Sequence, residues 1–179
     1  NAFKTGAIDI AYFSLDTDQI TNLEAEAARQ GWQVIAIDGK TVNYMVLNLN
    51  LEPLNNKAVR QALASIIDRK LLNERVLQGK GEPVYSLIPK EFDGYKPVFK
   101  ENYGDGNFEK AKELLKEAGY SRNSPAKIEI WYAANSTKRQ LTASTLKASV
   151  EQKLEGLMEL ELKSVEAATA FQNLDKGVY

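Results

Sequence analysis

The chain has 179 residues, with 23 Lys and Arg against 24 Asp and Glu, for a formal net charge of −1. Acids and bases are interspersed, which argues against nucleic-acid or anionic-membrane partners, since both favour a basic patch. There is no Cys and no His, which excludes thiolate nucleophiles, Ser-His-Asp triads, His general bases and the usual zinc sites. Apolar and charged contents of 44% and 26% are ordinary for a globular protein. The length suits one domain or two small ones with a real core. No apolar run approaches the roughly 20 residues of a membrane span. The first residues, Asn1-Ala2-Phe3-Lys4, carry no signal-peptide pattern, and the chain reads as a piece of something longer.

Residues 7–13 alternate and predict a strand, with Ile8, Ile10 and Tyr12 on one face. Asp16 and Thr17 offer caps for a helix over 18–30 that Gly31 stops. A short strand is expected over 32–37. A second is expected over 41–50, apolar on both faces at its centre and so suited to a sheet interior. The strongest periodicity lies in 53–78. Val59, Ala62, Leu63, Ile66 and Ile67 fall at i, i+3, i+4, i+7 and i+8, the stripe of a core-facing helix. Asn55 or Asn56 can cap it, and Asp68 can end it and cap a second helix that Gly79 stops.

Residues 79–106 are poorly periodic and rich in Pro, Gly and aromatics, which predicts a long loop packed by its own side chains. Asn107 then caps a helix whose stripe is Phe108, Ala111, Leu114, Leu115 and Ala118. Gly119 stops it, and Tyr120 closes over its end. A strand over 127–132, a helix from the Asn135-Ser136-Thr137 caps to Leu154, and an alternating strand over 157–165 form a βαβ unit, whose strands should be parallel. A last helix is expected over 166–176. The segment 8–37 repeats the same strand-helix-strand shape.

Few groups suggest chemistry. Glu159 and Glu161 share one face of a strand about 7 Å apart, a spacing compatible with a carboxylate-dependent hydrolase, but a solvated strand face is the preferred reading, since catalytic carboxylates usually come from different elements. Gly104-Asp105-Gly106-Asn107 before a helix could hold an anion, or could be a capped loop. Asn135-Ser136-Thr137 reads as a glycosylation sequon or as a helix cap, and the cap needs no further assumption. Lys57, Arg60, Asp68 and Arg69 form either a basic docking patch or the wet face of a helix. No metal site and no cofactor site is evident. Binding is therefore favoured over catalysis.

The order of motifs adds to this. G-A-I-D-I-A at 6–11 precedes Y-M-V-L-N at 44–48 and P-L-N-N-K-A-V-R-Q-A-L-A-S-I-I-D-R at 53–69. Then come G-K-G-E-P at 79–83, F-E-K-A-K-E-L-L-K-E-A-G-Y at 108–120 and K-I-E-I-W-Y before a long helix. This pattern resembles the extracytoplasmic solute-binding proteins of ABC importers, in the peptide/nickel family that includes oligopeptide- and dipeptide-binding proteins. The resemblance implies an α/β, periplasmic-binding-protein-like lobe of the type II, large peptide-binding class, with a mixed sheet flanked by helices. It implies that residues 1–179 form one lobe, the C-terminal lobe, of a larger two-lobe protein whose N-terminal lobe lies outside this chain.

The implied function is non-enzymatic: binding a peptide or similar small solute for import, with ABC permease subunits as partners. The implied location is periplasmic or extracytoplasmic, with membrane anchoring of the full-length protein left open. Positions matched to the family's cleft are Tyr12, Phe13 and Ser14 at the end of the first strand, and Tyr44 and Val46 on the next. Tyr85, Ser86 and the Ala134-Asn135 turn also match. Phe13 and Val46 stand where some family members carry polar or acidic groups, which implies a more apolar pocket. A ligand-sensing domain of a signalling protein is the alternative of the same fold.

Overall fold

The computed structural model describes residues 2–12, 15–36 and 41–179. They fall into two compact units, Asn1–Gly39 and Lys40–Tyr179.

The first unit is built on helix α1, Thr17–Gln30. Asp16 caps it by accepting from the Gln19 N–H, and the Gln19 side chain accepts from the Asp16 N–H in return, a capping box. Gly31, in the left-handed region, closes the C-terminus as expected. The ring of Phe3 lies 5.1 Å from that of Trp32, and Lys4 pairs with Glu26 at 2.8 Å. No residue of α1 is fully buried.

The second unit holds the core. Helix α2, Lys57–Ile66, is capped by Asn56, and its stripe Val59, Ala62, Leu63 and Ile66 is buried. Ile67 turns extended, and Asp68 caps α3, Arg69–Leu77, by accepting from the Leu71 N–H at 2.9 Å. Helix α4, Val98–Tyr103, lies inside the long loop. Helix α5, Phe108–Glu117, buries Phe108, Ala111 and Leu115 and is capped by Asn107. Strand β1, Ala126–Ala133, pairs in parallel with β2, Met158–Val165, from Ala126 opposite Met158 to Ala133 opposite Val165. Between them runs α6, Thr137–Lys153, capped by Ser136, which contacts both strands. Helix α7, Ala167–Asp175, ends the chain's regular structure.

The described residues thus hold the expected βαβ unit and the parallel part of the expected sheet. One apolar cluster joins the elements. Val59 and Ile66 of α2, Leu115 of α5, Ile128 of β1, Val150 of α6 and Leu160 of β2 all belong to it. No described helix is long and apolar enough to cross a membrane.

Three expectations fail. The described parts of 7–13, 32–37 and 41–50 form no strand, so the early strand-helix-strand repeat is absent too. Residues 41–50 are not a covered interior strand either, for Tyr44 and Val46 are 70% and 61% exposed. Alternation announces a face that needs covering, but a strand exists only where a neighbour supplies the ladder. None of the described residues does so for these stretches. The short helix α4 was also missed. Its signals were Pro97 at the N-cap and the Phe99/Tyr103 spacing, whose rings lie 6.0 Å apart.

Ile66 is 1% exposed at the centre of the cluster. Ile66→Ala should therefore lower the free energy of urea unfolding by about 2–5 kcal/mol. A loss below about 1 kcal/mol would mean that α2 is not held by this core.

Candidate functional site

The long loop is held by one polar node. The Arg69 guanidinium donates from Nε to the Val84 carbonyl at 2.8 Å and sits 3.2 Å from Asp105 Oδ1. The Arg69 backbone N–H donates to the same carboxylate oxygen at 3.0 Å, and the Tyr85 hydroxyl donates to Oδ2 at 3.0 Å. The guanidinium lies 4.8 Å from the Tyr85 ring centroid and 5.8 Å from that of Phe99. Both charged side chains are largely withdrawn from water, which strengthens charge-assisted hydrogen bonds of this kind.

Burial, and then the hydrogen bond to Asp105, pushes the Tyr85 phenol above the ordinary tyrosine range. Asp105 is thus committed to Arg69 and Tyr85, and Asn107 Oδ1 accepts from the Lys110 N–H. The Gly-Asp-Gly-Asn stretch is a capped loop. The hollow of about 390 Å³ in front of it is lined by Gly106, Asn107, Phe108, Glu109 and Lys153.

Gly106 is required here. Its φ is +64°, and an added Cβ would stand 3.1–3.2 Å from Asp68 atoms. Its N–H donates to the Ile67 carbonyl, and that of Asn107 donates to Ser65, which straps the loop to the α2–α3 corner.

Three of the four charges that resembled a docking patch, Arg60, Asp68 and Arg69, are also engaged. Arg60 Nη1 donates to the Leu54 and Asn55 carbonyls at 2.7 and 2.9 Å, and so fastens the turn before α2. Asp68 is a cap and Arg69 is the node. Reading Arg69 as a wet-face residue missed its role. The available signal was the isolated Asp105 between glycines in a loop that needed an anchor.

Glu159 and Glu161 are exposed on the outer sheet face. Lys127 pairs with Glu159 at 3.6 Å, and Lys163 pairs with Glu161 and, at 4.0 Å, with Glu129. The Lys163 ammonium holds the Glu161 carboxyl below the ordinary carboxylate range. A general acid needs the opposite shift and a sheltered position, so this pair does not support the hydrolase reading.

Of the positions matched to the family's cleft, Phe13 and Ser14 lie outside the described residues. Tyr12, in the first unit, is 69% exposed. In the second unit Tyr44 lines an open groove of about 310 Å³ with Val42, Leu87 and Pro89. Val46 is exposed beyond it. Tyr85 is tied to Asp105, and Ser86 Oγ accepts from the Ile88 N–H at 3.1 Å, which fixes the turn leading to that groove. Asn135 is exposed in the turn between β1 and α6, while Ser136 does the capping, 3.3 Å from the Arg139 N–H. The structure therefore brings Tyr44 beside the loop that follows Ser86. Asn135 stands at the carboxyl end of β1, the edge where open parallel sheets bind ligands.

The profile of the bacterial extracellular solute-binding proteins, family 5 Middle, matches residues 1–179. The chain belongs to this family. The periplasmic oligopeptide-binding protein OppA of Haemophilus influenzae is 28% identical over 185 residues, covering 99% of this chain and 33% of OppA. The structure of H. influenzae OppA in complex with RPPGFSPFR matches 99% of this chain at a TM-score of 0.75 and 24% identity. The ABC-transporter substrate-binding protein CtaP of Listeria monocytogenes matches 96% of it at 0.77 and 23%. Those matches take up 35% and 33% of the two structures. The fold is that of the type II periplasmic binding proteins. This family chain thus spans about a third of the length of the relatives it matches.

The node has a titration signature. The Tyr85 proton is held more tightly in the folded chain than in the unfolded one. Its contribution to stability is therefore complete below the unfolded tyrosine value near 10, and is lost as pH climbs through the higher folded value. Ultraviolet titration should show a late-ionising phenol, and Tyr85→Phe should remove that late step. An unchanged curve in the variant would show that Tyr85 is not held as described.

Proposed function

We propose that this chain is part of the ligand-binding receptor of an ABC importer, that it is not an enzyme, and that the receptor's cargo is a peptide or similar small solute. The observation that carries this reading is the family match along all of 1–179, joined to a fold shared with an oligopeptide-binding protein that holds a peptide. The exposed acids on β2 give no support to a catalytic alternative.

In this proposal Tyr44, Val46 and Asn135 touch the solute from the second unit, and Tyr85 and Ser86 fix the shape of the loop beside them. Tyr12 is proposed as a contact from the first unit in its own right. Apolar Val46 and the groove walls Val42, Leu87 and Pro89 suit an apolar side chain of the cargo. The rest of the receptor, including its N-terminal lobe, supplies the opposing surface, and permease subunits receive the loaded form. The working location is extracytoplasmic, as for the periplasmic relatives.

Titration calorimetry of the full-length receptor against a peptide library tests this, with sugars and metal chelates as comparison. Peptides should bind, and Tyr44→Ala should weaken binding by roughly tenfold or more, as loss of an aromatic anchor does. Binding of another solute class with no response to any peptide would overturn the peptide assignment.

A further inference from the structure

The loop wall of the Tyr44 groove, formed by Leu87 and Pro89, is an arch on two unequal feet. Among the described residues, the backbone hydrogen bonds of 86–90 stay within the turn itself. The Ile88 N–H donates to Ser86 Oγ, and the Pro89 carbonyl accepts from the Phe92 N–H. The first foot, Tyr85, is firm. Its hydroxyl donates to Asp105, its carbonyl accepts from the Phe99 N–H at 3.0 Å, and the neighbouring Val84 carbonyl accepts from Arg69. The second foot, Lys90, is held by an ion pair. Its Nζ stands 2.6 Å from Glu82 Oε2, with the two side chains 42% and 70% exposed. Glu82 is the fixed post of that pair. The Gly81 N–H before it donates to Asn73 Oδ1 of α3 at 2.9 Å, and Val84 after it is bound to Arg69. The hydrogen bond from Lys90 holds the Glu82 carboxyl below the ordinary carboxylate range.

We propose that Glu82 and Lys90 are positioning residues for the solute, a releasable latch that sets the width of the Tyr44 groove and so the size of apolar side chain it admits. The inference rests on the reading of this groove as a solute contact. The two feet differ in strength for a physical reason. An exposed ion pair biases an equilibrium by at most about fivefold, whereas the bonds at Tyr85 are several and largely withdrawn from water. Release at Lys90 is therefore cheap and release at Tyr85 is not, so the arch pivots about Tyr85. A weak latch suits a groove that takes side chains of different size, because a bulky one displaces only Lys90. Salt screens such a pair, which gives the latch a signature that apolar packing lacks.

Hydrogen exchange of the full-length receptor, wild type against Glu82→Gln, tests the latch when read at the Ile88 and Phe92 amides. The variant should exchange about two- to fivefold faster at low salt. The difference should vanish in about 1 M sodium chloride, where the wild-type pair is screened as well. Equal rates at low salt would overturn the proposal. So would equal acceleration at the Phe99 amide, which would mean a general loosening of the loop rather than release of one foot. Calorimetry with the tripeptides Ala-Leu-Ala and Ala-Trp-Ala tests the consequence. Glu82→Gln should favour the tryptophan peptide over the leucine peptide by about two- to fivefold relative to wild type. An unchanged ratio would overturn the selection by size. Exchange is read without ligand, so a receptor that releases the turn as described yet binds neither peptide would contradict the proposed cargo and not the latch.

Discussion

The second unit depends on the contact between α2 and α5 over the inner face of the β1–β2 pair. Val59, Ala62 and Ile66 meet Phe108, Ala111 and Leu115, and Ile128, Met158 and Leu160 close the cluster from the sheet. At the usual return for buried apolar surface, the valine, isoleucine, leucine, phenylalanine and methionine side chains among them contribute about 1.5–3 kcal/mol each. The contact also sets the path of the chain between the two helices. Because the end of α2 is fixed, Ser65 and Ile67 present carbonyls to Asn107 and Gly106, and α5 can start only where the strap places it.

The Arg69 node extends that constraint to residues that a core cannot reach. Residues 79–106 bury little, yet they follow a defined path because one guanidinium is shared by Val84, Asp105 and two aromatic rings. A planar donor with several N–H groups can serve partners from different directions at once, which an ammonium cannot do as well. The groove beside Tyr44 inherits its shape from this arrangement, since Leu87 and Pro89 follow directly on Tyr85 and Ser86. The polar node holds the loop that flanks the proposed solute contacts.

Much of this was legible in the residues. The caps Asp16, Asn56, Asp68, Asn107 and Ser136 were readable because a short polar side chain before a periodic run has a single local use. The α2 and α5 stripes and the parallel βαβ unit followed from periodicity. The described parts of 7–13, 32–37 and 41–50 were misread because alternation reports the need for a covered face and says nothing of the partner. Arg69 was misread because a lone cation looks the same whether it faces water or a carboxylate 36 residues away. Tyr44, Val46 and Asn135 came from family resemblance rather than from local chemistry. An exposed aromatic, valine or asparagine has no signature until its surroundings are known.

Family membership and fold place this chain among the family 5 extracellular solute-binding proteins, and the proposed solute contacts are the exposed side chains around 44–46 and at the end of β1. A crystal structure of the intact receptor with its solute bound tests this most directly. The account predicts solute atoms within about 4.5 Å, the range of side-chain contact, of Tyr44, Val46 or Asn135. A solute seated instead on the outer sheet face beside Glu159 and Glu161, remote from all three, would contradict it.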